Sequence, residues 1–76
     1  MKVILYTSPT CFYCHKLKDF LKSQNIEFEE MDVSQNQEAA EDLIKKSGQK
    51  GLPVVDINGE IIVGFDLPTL KEKLGI

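Results

Sequence analysis

The sequence predicts an α/β domain whose strands and helices follow the order βαβαββα. Three observations support this prediction: short apolar runs of strand length, intervening stretches with helical periodicity, and an Asn-Gly pair between the last two runs. A chain of 76 residues has room for one small hydrophobic core. We therefore expect a single domain over residues 1–76, with four strands and three helices.

The first half of the chain predicts a β-α-β unit. The continuous apolar run at 3–6 ends before Ser8-Pro9 and is typical of a strand buried on both faces. A helix is predicted from Phe12, with an apolar stripe that comprises Tyr13, Leu17, Phe20 and Leu21. Residues 26–29 then alternate apolar side chains with glutamate, which favours a half-exposed edge strand.

The second half predicts a helix, a hairpin and a last helix. Ser34 and Gln37 form a capping-box pattern before a helix that ends at Gly48, with the apolar residues Ala39, Ala40, Leu43 and Ile44. Asn58-Gly59 between the runs 54–57 and 60–63 predicts a β-hairpin. Asp66 then caps a helix that has Pro68 in its first turn, the residues Leu67, Leu70 and Leu74 on one side, and its end at Gly75.

Composition and charge exclude several classes of function. Apolar residues make up 42% and charged residues 28% of the chain, which is typical of a folded domain. Twelve acidic and nine basic residues give a net charge of −3, which argues against a nucleic-acid partner. The sequence shows neither a secretory signal pattern nor an apolar run long enough to span a membrane. We therefore expect a cytoplasmic monomer with no membrane partner.

The two cysteines lie where the first strand ends and the first helix begins. Cys11-Phe12-Tyr13-Cys14 places Cys11 at or near the helix N-cap, beside backbone N–H groups that have no helical partner. Those donors and the helix dipole stabilise a thiolate, and motifs of this kind lower a cysteine pKa from about 8.5 to roughly 3.5–7.5. We expect Cys11 to be the nucleophile of disulfide exchange and Cys14 to resolve the mixed disulfide.

The same pair permits other interpretations. A small C-x-x-C metal carrier, similar to a metallochaperone, is the alternative function, although its β-α-β-β-α-β order has no helix straight after the second strand. A structural zinc site needs four ligands, and the only further soft donor is His15, so we expect no metal site. Cys14-His15 also completes a C-x-x-C-H haem-attachment pattern, but the strand-rich sequence does not resemble a small cytochrome. We expect His15 to be an exposed helix residue with no catalytic role.

Motifs along almost the whole chain resemble those of the glutaredoxin family. The matching segments are Leu5-Tyr6-Thr7, Thr10-Cys11-Phe12-Tyr13-Cys14, Ser47-Gly48, Leu52-Pro53 and Gly64-Phe65-Asp66. The resemblance implies a thioredoxin fold, in which a four-stranded mixed sheet of order 2-1-3-4 is flanked by three helices and the Leu52-Pro53 bond is cis. It also implies a dithiol-disulfide oxidoreductase that carries electrons through a redox-active Cys11–Cys14 disulfide and binds no cofactor of its own.

The resemblance further implies a substrate site beside the cysteines. Its members are Leu52, Pro53, Gly64, Asp66, Lys50, Phe12 and Tyr13, which bind glutathione or a protein substrate in the family. Phe12 stands where the family usually has proline, and an exposed aromatic there favours a protein-docking surface. The implied partners are disulfide-containing proteins and an electron donor.

Departures from the family pattern leave the electron donor open. Glutathione-using members usually have lysine where this chain has Ser8 and often aspartate where it has Leu67, while Gly51 and Val63 also differ. Such a pattern is similar to that of glutaredoxin-like redoxins reduced by a thioredoxin-reductase-type flavoprotein. We therefore expect either such a flavoprotein or, as co-substrate, glutathione to supply the electrons.

Overall fold

A computed structural model describes residues 1–76 and contains four strands and three helices in the predicted order. The elements are β1 (Val3–Thr7), α1 (Phe12–Ser23), β2 (Glu29–Asp32), α2 (Gln37–Ser47), β3 (Val54–Ile57), β4 (Glu60–Val63) and α3 (Leu67–Leu74). The prediction of βαβαββα from apolar periodicity and turn residues is therefore confirmed.

The four strands form one mixed sheet in the order β2-β1-β3-β4. Strand β1 pairs parallel with β2 and antiparallel with β3, and β3 pairs antiparallel with β4. Asn58 and Gly59 join β3 to β4 with φ values of 52° and 94°, the left-handed region that a tight hairpin turn requires. This topology is the thioredoxin fold that the resemblance implies.

Apolar side chains cover both faces of the sheet. The larger cluster joins β1, β3 and β4 to α1 and α3, and its buried members are Val3, Leu5, Leu17, Leu21, Val55, Ile57, Ile62, Leu70 and Leu74. The smaller cluster joins the opposite face to α2 and consists of Tyr6, Leu43 and Val54. Strand β1 is thus buried on both faces, as its continuous apolar run predicts, and it fixes the start of the loop that carries Cys11.

Hydrogen bonds and ion pairs among Tyr6, Asp42, Lys46 and Asp56 connect α2 to the sheet beside the smaller apolar cluster. The Lys46 ammonium lies 2.8 Å from a carboxylate oxygen of Asp56 and 2.8 Å from the Tyr6 hydroxyl. The Tyr6 hydroxyl in turn donates to Asp42 at 2.6 Å. Its hydrogen bonds to Asp56 and Tyr6 raise the pKa of Lys46 above its ordinary value, so this side chain stays charged.

The predicted bounds of the second strand are wrong. Strand β2 comprises Glu29–Asp32 rather than 26–29, because its parallel register pairs Glu29 with Ile4 and Asp32 with Thr7. Ile26 and Phe28 lie in the connection before it and pack, partly buried, against the larger apolar cluster. Their apolar character therefore reflects packing beneath the sheet edge and not strand alternation.

The predicted capping box of α2 is also wrong. Asn36 is the N-cap residue, and its side chain accepts a hydrogen bond from the Ala39 N–H at 3.1 Å. Ser34 instead donates its N–H and hydroxyl to Asp32 in the preceding turn. Capping by Asp66 at the start of α3 is confirmed, since its carboxylate accepts from the Thr69 N–H at 3.3 Å.

None of the helices combines the length and the apolar character needed to cross a bilayer.

Candidate redox site

Cys11 and Cys14 form a disulfide at the start of α1, with their Cα atoms 5.2 Å apart. Cys11 is the N-cap residue, and the N–H of Cys14 donates to the Cys11 Sγ at 3.1 Å. Cys14 lies inside the first turn and is only 1% exposed, whereas Cys11 is partly exposed. The sulfur that solvent and substrates can reach is therefore the one that faces the helix N-terminus.

The backbone around Cys11 explains this orientation. A turn closes when the N–H of Cys11 donates to the carbonyl of Ser8 at 3.2 Å, and the first helical bond runs from the N–H of His15 to the carbonyl of Cys11 at 3.3 Å. Cys11 itself is extended, with φ −87° and ψ 108°, as N-cap residues are. The extended N-cap conformation turns the Cys11 side chain back over the open N–H groups of the first turn.

The buried sulfur has a different environment. The Cys14 Sγ lies 3.9 Å from the carbonyl oxygen of Tyr6, near the end of β1. When the pair is reduced, this oxygen can accept the hydrogen of the Cys14 thiol, and an acceptor of that kind stabilises the neutral thiol over the thiolate. The two cysteines are therefore surrounded by groups that favour opposite protonation states.

An open cavity of about 320 Å³ lies beside the cysteine-bearing turn and is lined by Tyr13, Leu52, Pro53, Gly64 and Phe65. Four of these belong to the site predicted from the sequence. The Leu52-Pro53 bond is cis, as the resemblance implies, and the carbonyl of Pro53 accepts from the N–H of Gly64 at 2.8 Å. This hydrogen bond joins the segment before β3 to the segment after β4, and both segments contribute residues to the cavity.

Three of the predicted site residues lie outside this cavity. Phe12 is 64% exposed and contacts the Tyr13 ring edge-on, with 5.3 Å between ring centroids. Both carboxylate oxygens of Asp66 accept hydrogen bonds from Thr69 in the first turn of α3. Lys50 is exposed in the loop before Leu52 and takes part in none of the ion pairs.

Phe65 is a residue of the site that the sequence did not single out. Its ring stacks on that of Tyr13, with centroids 5.9 Å apart and an interplanar angle of 28°. The apolar periodicity predicts Tyr13 on the buried stripe of α1, but its side chain is 54% exposed. The buried residues of α1 are Cys14, Leu17 and Leu21. The position of Phe65 between Gly64 and Asp66 in the matching motif is the signal that could have identified it.

The observed order of elements contradicts the alternative of a metallochaperone-like carrier. That interpretation needs a hairpin straight after the second strand, where the structure has α2. No group of three or more His, Cys, Asp and Glu side chains is close enough to hold a metal ion. The arrangement at Cys11 and Cys14 is instead the one that supports thiol-disulfide exchange.

Comparison with known proteins agrees with this chemistry. The glutaredoxin family model matches residues 3–62, and the last helix, α3, lies outside the match. A glutaredoxin-like 8.6 kDa protein in the rubredoxin operon of Clostridium pasteurianum is 44% identical over 62 residues, which are 82% of this chain and 83% of that protein.

Solved structures show the same relationship. The thioredoxin-like protein BC3987 superposes with a TM-score of 0.89 at 35% identity, covering 95% of this chain and 99% of that one. The glutaredoxin-like NrdH-redoxin from Escherichia coli superposes with a TM-score of 0.84 at 30% identity, covering 95% of this chain and 93% of that one. Members of the matched family are thiol-disulfide oxidoreductases. The chain therefore belongs to the glutaredoxin family and is a thiol-disulfide oxidoreductase with a redox-active cysteine pair.

Proposed function

We propose that this protein carries electrons to disulfide-containing proteins, with Cys11 as the nucleophile and Cys14 as the resolving thiol. The observation that carries the proposal is the hydrogen bond from the Cys14 N–H to the Cys11 Sγ at the N-terminus of α1. A backbone donor and the positive end of a helix dipole both stabilise negative charge on that sulfur. The partial exposure of Cys11 also lets a client disulfide reach it.

The exchange takes place in two displacements. The Cys11 thiolate attacks one sulfur of the client disulfide, forms a mixed disulfide, and releases the second client sulfur as a thiolate. Cys14 then loses its proton to solvent and attacks the Cys11 Sγ, which forms the intramolecular disulfide and releases the first client sulfur. Two electrons pass from the protein dithiol to the client, and a donor must return two electrons before the next cycle.

Client recognition uses the surface beside the cysteines. The backbone N–H and carbonyl of Leu52, which lines the cavity, can pair with an extended client segment as an added strand. The cavity lined by Leu52, Pro53 and Gly64 is continuous with an aromatic surface made of Phe12, Tyr13 and Phe65. Exposed aromatic rings beside a redox centre favour a protein client over a small hydrophilic one, because they bury apolar area on docking.

We propose a thioredoxin-reductase-type flavoprotein as the electron donor, with the protein acting as a cytoplasmic monomer. Ser8 and Leu67 lack the charges found at those positions in glutathione-using members, and both Asp66 oxygens already accept hydrogen bonds from Thr69. The structure of the relative from Escherichia coli is described as the basis of a thioredoxin-like activity profile. Glutathione is the second candidate, because Lys50 and Asp66 keep the family's residue types.

The donor is tested in two parallel assays that follow NADPH consumption while the protein reduces an added client disulfide, which re-forms the Cys11–Cys14 disulfide in every cycle. One contains thioredoxin reductase, and the other contains glutathione with glutathione reductase. We expect the faster turnover with thioredoxin reductase and no turnover in either assay with Cys11→Ser. Efficient turnover with glutathione and none with the flavoprotein would contradict the proposed donor and leave the cysteine roles intact.

The cysteine roles are tested by trapping. Cys14→Ser removes the resolving thiol, so the mixed disulfide between Cys11 and the client should persist and be visible as an added mass by mass spectrometry. Cys11→Ser should give no adduct under the same conditions, because Cys14 is buried. An adduct on Cys14 in the second variant and none in the first would reverse the assignment.

A further inference from the structure

His15 is tied to the loop that carries Cys11. Its ring Nε2 lies 3.0 Å from the carbonyl oxygen of Pro9. A carbonyl oxygen can only accept, so Nε2 carries the hydrogen and donates it. The backbone N–H of His15 also donates to the carbonyl of Cys11 at 3.3 Å. One helix residue therefore holds the loop at two points, one before Cys11 and one at Cys11 itself.

The separation of the two sulfurs depends on that loop. Cys14 is fixed because it lies inside α1 and is 1% exposed in the core. Cys11 is the N-cap residue and has an extended backbone, so its position follows the segment that runs from Ser8 through Pro9. A contact that anchors Pro9 to α1 consequently limits how far Cys11 can move from Cys14 after the disulfide opens.

We infer that His15 is a positioning residue that holds the reduced Cys11 within closing distance of Cys14. The inference rests on the proposed roles of the two cysteines. Pre-organisation of two reacting groups raises the effective concentration of one at the other. The clamp from His15 to Pro9 therefore favours closure of the protein disulfide and accelerates release of the client from the mixed disulfide.

The expected size of the effect follows from the single side-chain hydrogen bond involved. The loss of one such bond is expected to change an equilibrium constant two- to tenfold. The measured reaction is the reduction of the protein disulfide by dithiothreitol. It gives the protein dithiol and cyclic oxidised dithiothreitol, and two electrons and two protons pass to the protein. Loss of the clamp should raise the equilibrium constant of this reaction two- to tenfold, and a tenfold change equals about 30 mV.

The experiment compares His15→Ala with the wild-type protein in dithiothreitol buffers, with thiols trapped by acid and alkylation and counted by mass spectrometry. His15→Gln is the rescue variant, because its carboxamide nitrogen stands close to the position of Nε2 and can donate to Pro9. Lys22→Ala is the matched control, since Lys22 is an exposed residue of the last turn of α1. Thermal unfolding of each variant is recorded in both redox states.

We expect the equilibrium constant to rise two- to tenfold in His15→Ala and to stay near the wild-type value in His15→Gln and Lys22→Ala. A merely structural role would lower the unfolding temperatures of both redox states together and leave this constant unchanged, which would overturn the inference. If His15→Ala does not fold, His15→Asn answers the same question, because it keeps a polar side chain that is too short to reach Pro9. A wild-type disulfide that does not exchange with dithiothreitol at all would instead overturn the proposed function.

Discussion

Charges introduced at positions 8 and 67 test why glutathione should be a poor electron donor for this chain. Ser8 is partly buried in the loop before Cys11, where its neutral hydroxyl lies 3.4 Å from that of Thr10 and supplies no positive charge. Leu67 is the first residue of α3, where an aspartate would also be favoured by the helix dipole. The double variant Ser8→Lys, Leu67→Asp restores the family's residue types at both positions.

The magnitude follows from the exposure of the two positions. Charge-assisted hydrogen bonds contribute about 1.5–3 kcal/mol when shielded, but ion pairs in contact with solvent contribute about 1 kcal/mol or less. We therefore take about 0.7 kcal/mol for each contact, and the two together predict an increase of about tenfold in kcat/KM for glutathione. Leu67 is partly buried and packs against the larger apolar cluster. The double variant loses this apolar contact and should therefore unfold at a slightly lower temperature.

The assay is glutathione-dependent reduction of a small disulfide, followed through glutathione reductase and NADPH. Gln24→Lys is the matched control, because it adds one positive charge at the far end of α1, about 20 Å from the N-cap. We expect the double variant to gain about tenfold and Gln24→Lys to stay near wild type, with no gain in thioredoxin-reductase-dependent turnover. An unchanged rate in the double variant, or an equal gain in the control, would refute the reasoning from missing charges.

Three further predictions concern stability and metal binding. Lys46→Met should lower the free energy of unfolding by about 1–3 kcal/mol in urea titrations, since Asp56 is 7% exposed and would lose its cation. Lys46→Arg should recover most of the loss. The hydrogen bond from Lys18 lowers the pKa of Glu30, and that from Tyr6 lowers the pKa of Asp42. The ionised carboxylates of Glu30 and Asp42 therefore stabilise the folded state above about pH 4, and this stabilisation is lost as the pH falls below that value. The melting temperature should drop on acidification, and it should drop less in Glu30→Gln. A stoichiometric amount of zinc should leave the melting temperature of the reduced protein unchanged, and a rise of several degrees would contradict the reading of the cysteine pair as a redox centre.

Several features with local patterns were predicted correctly from the sequence, although the local capping-box pattern at Ser34 was not, because Asn36 caps α2 instead. The hairpin at Asn58-Gly59 and the cap at Asp66 depend on backbone preferences within a few residues, and the structure confirms both. The N-cap position of Cys11 belongs to the same class, because it requires only that a strand end and a helix begin where the pattern changes.

Features that depend on distant contacts were not predictable in the same way. The alternation at 26–29 resembles a strand, yet Ile26 and Phe28 are apolar because they pack against the larger apolar cluster from the connection. Lys46 contacts Tyr6, which lies 40 positions away in the sequence, and the periodicity of apolar residues does not predict such a contact. The bond from His15 to Pro9 spans only six positions, but it depends on the conformation of the loop between them, which the pattern of apolar residues does not predict.

The central claim, that Cys11 is the activated nucleophile, is tested most directly by alkylating the reduced protein at mildly acidic pH. A limiting amount of iodoacetamide is added, the reaction is stopped at intervals, and the label on each cysteine is measured by peptide mass spectrometry. The hydrogen bond at the helix N-terminus and the burial of Cys14 predict that Cys11 is labelled first and by a wide margin. Faster labelling of Cys14, or equal labelling of the two cysteines, would contradict the account.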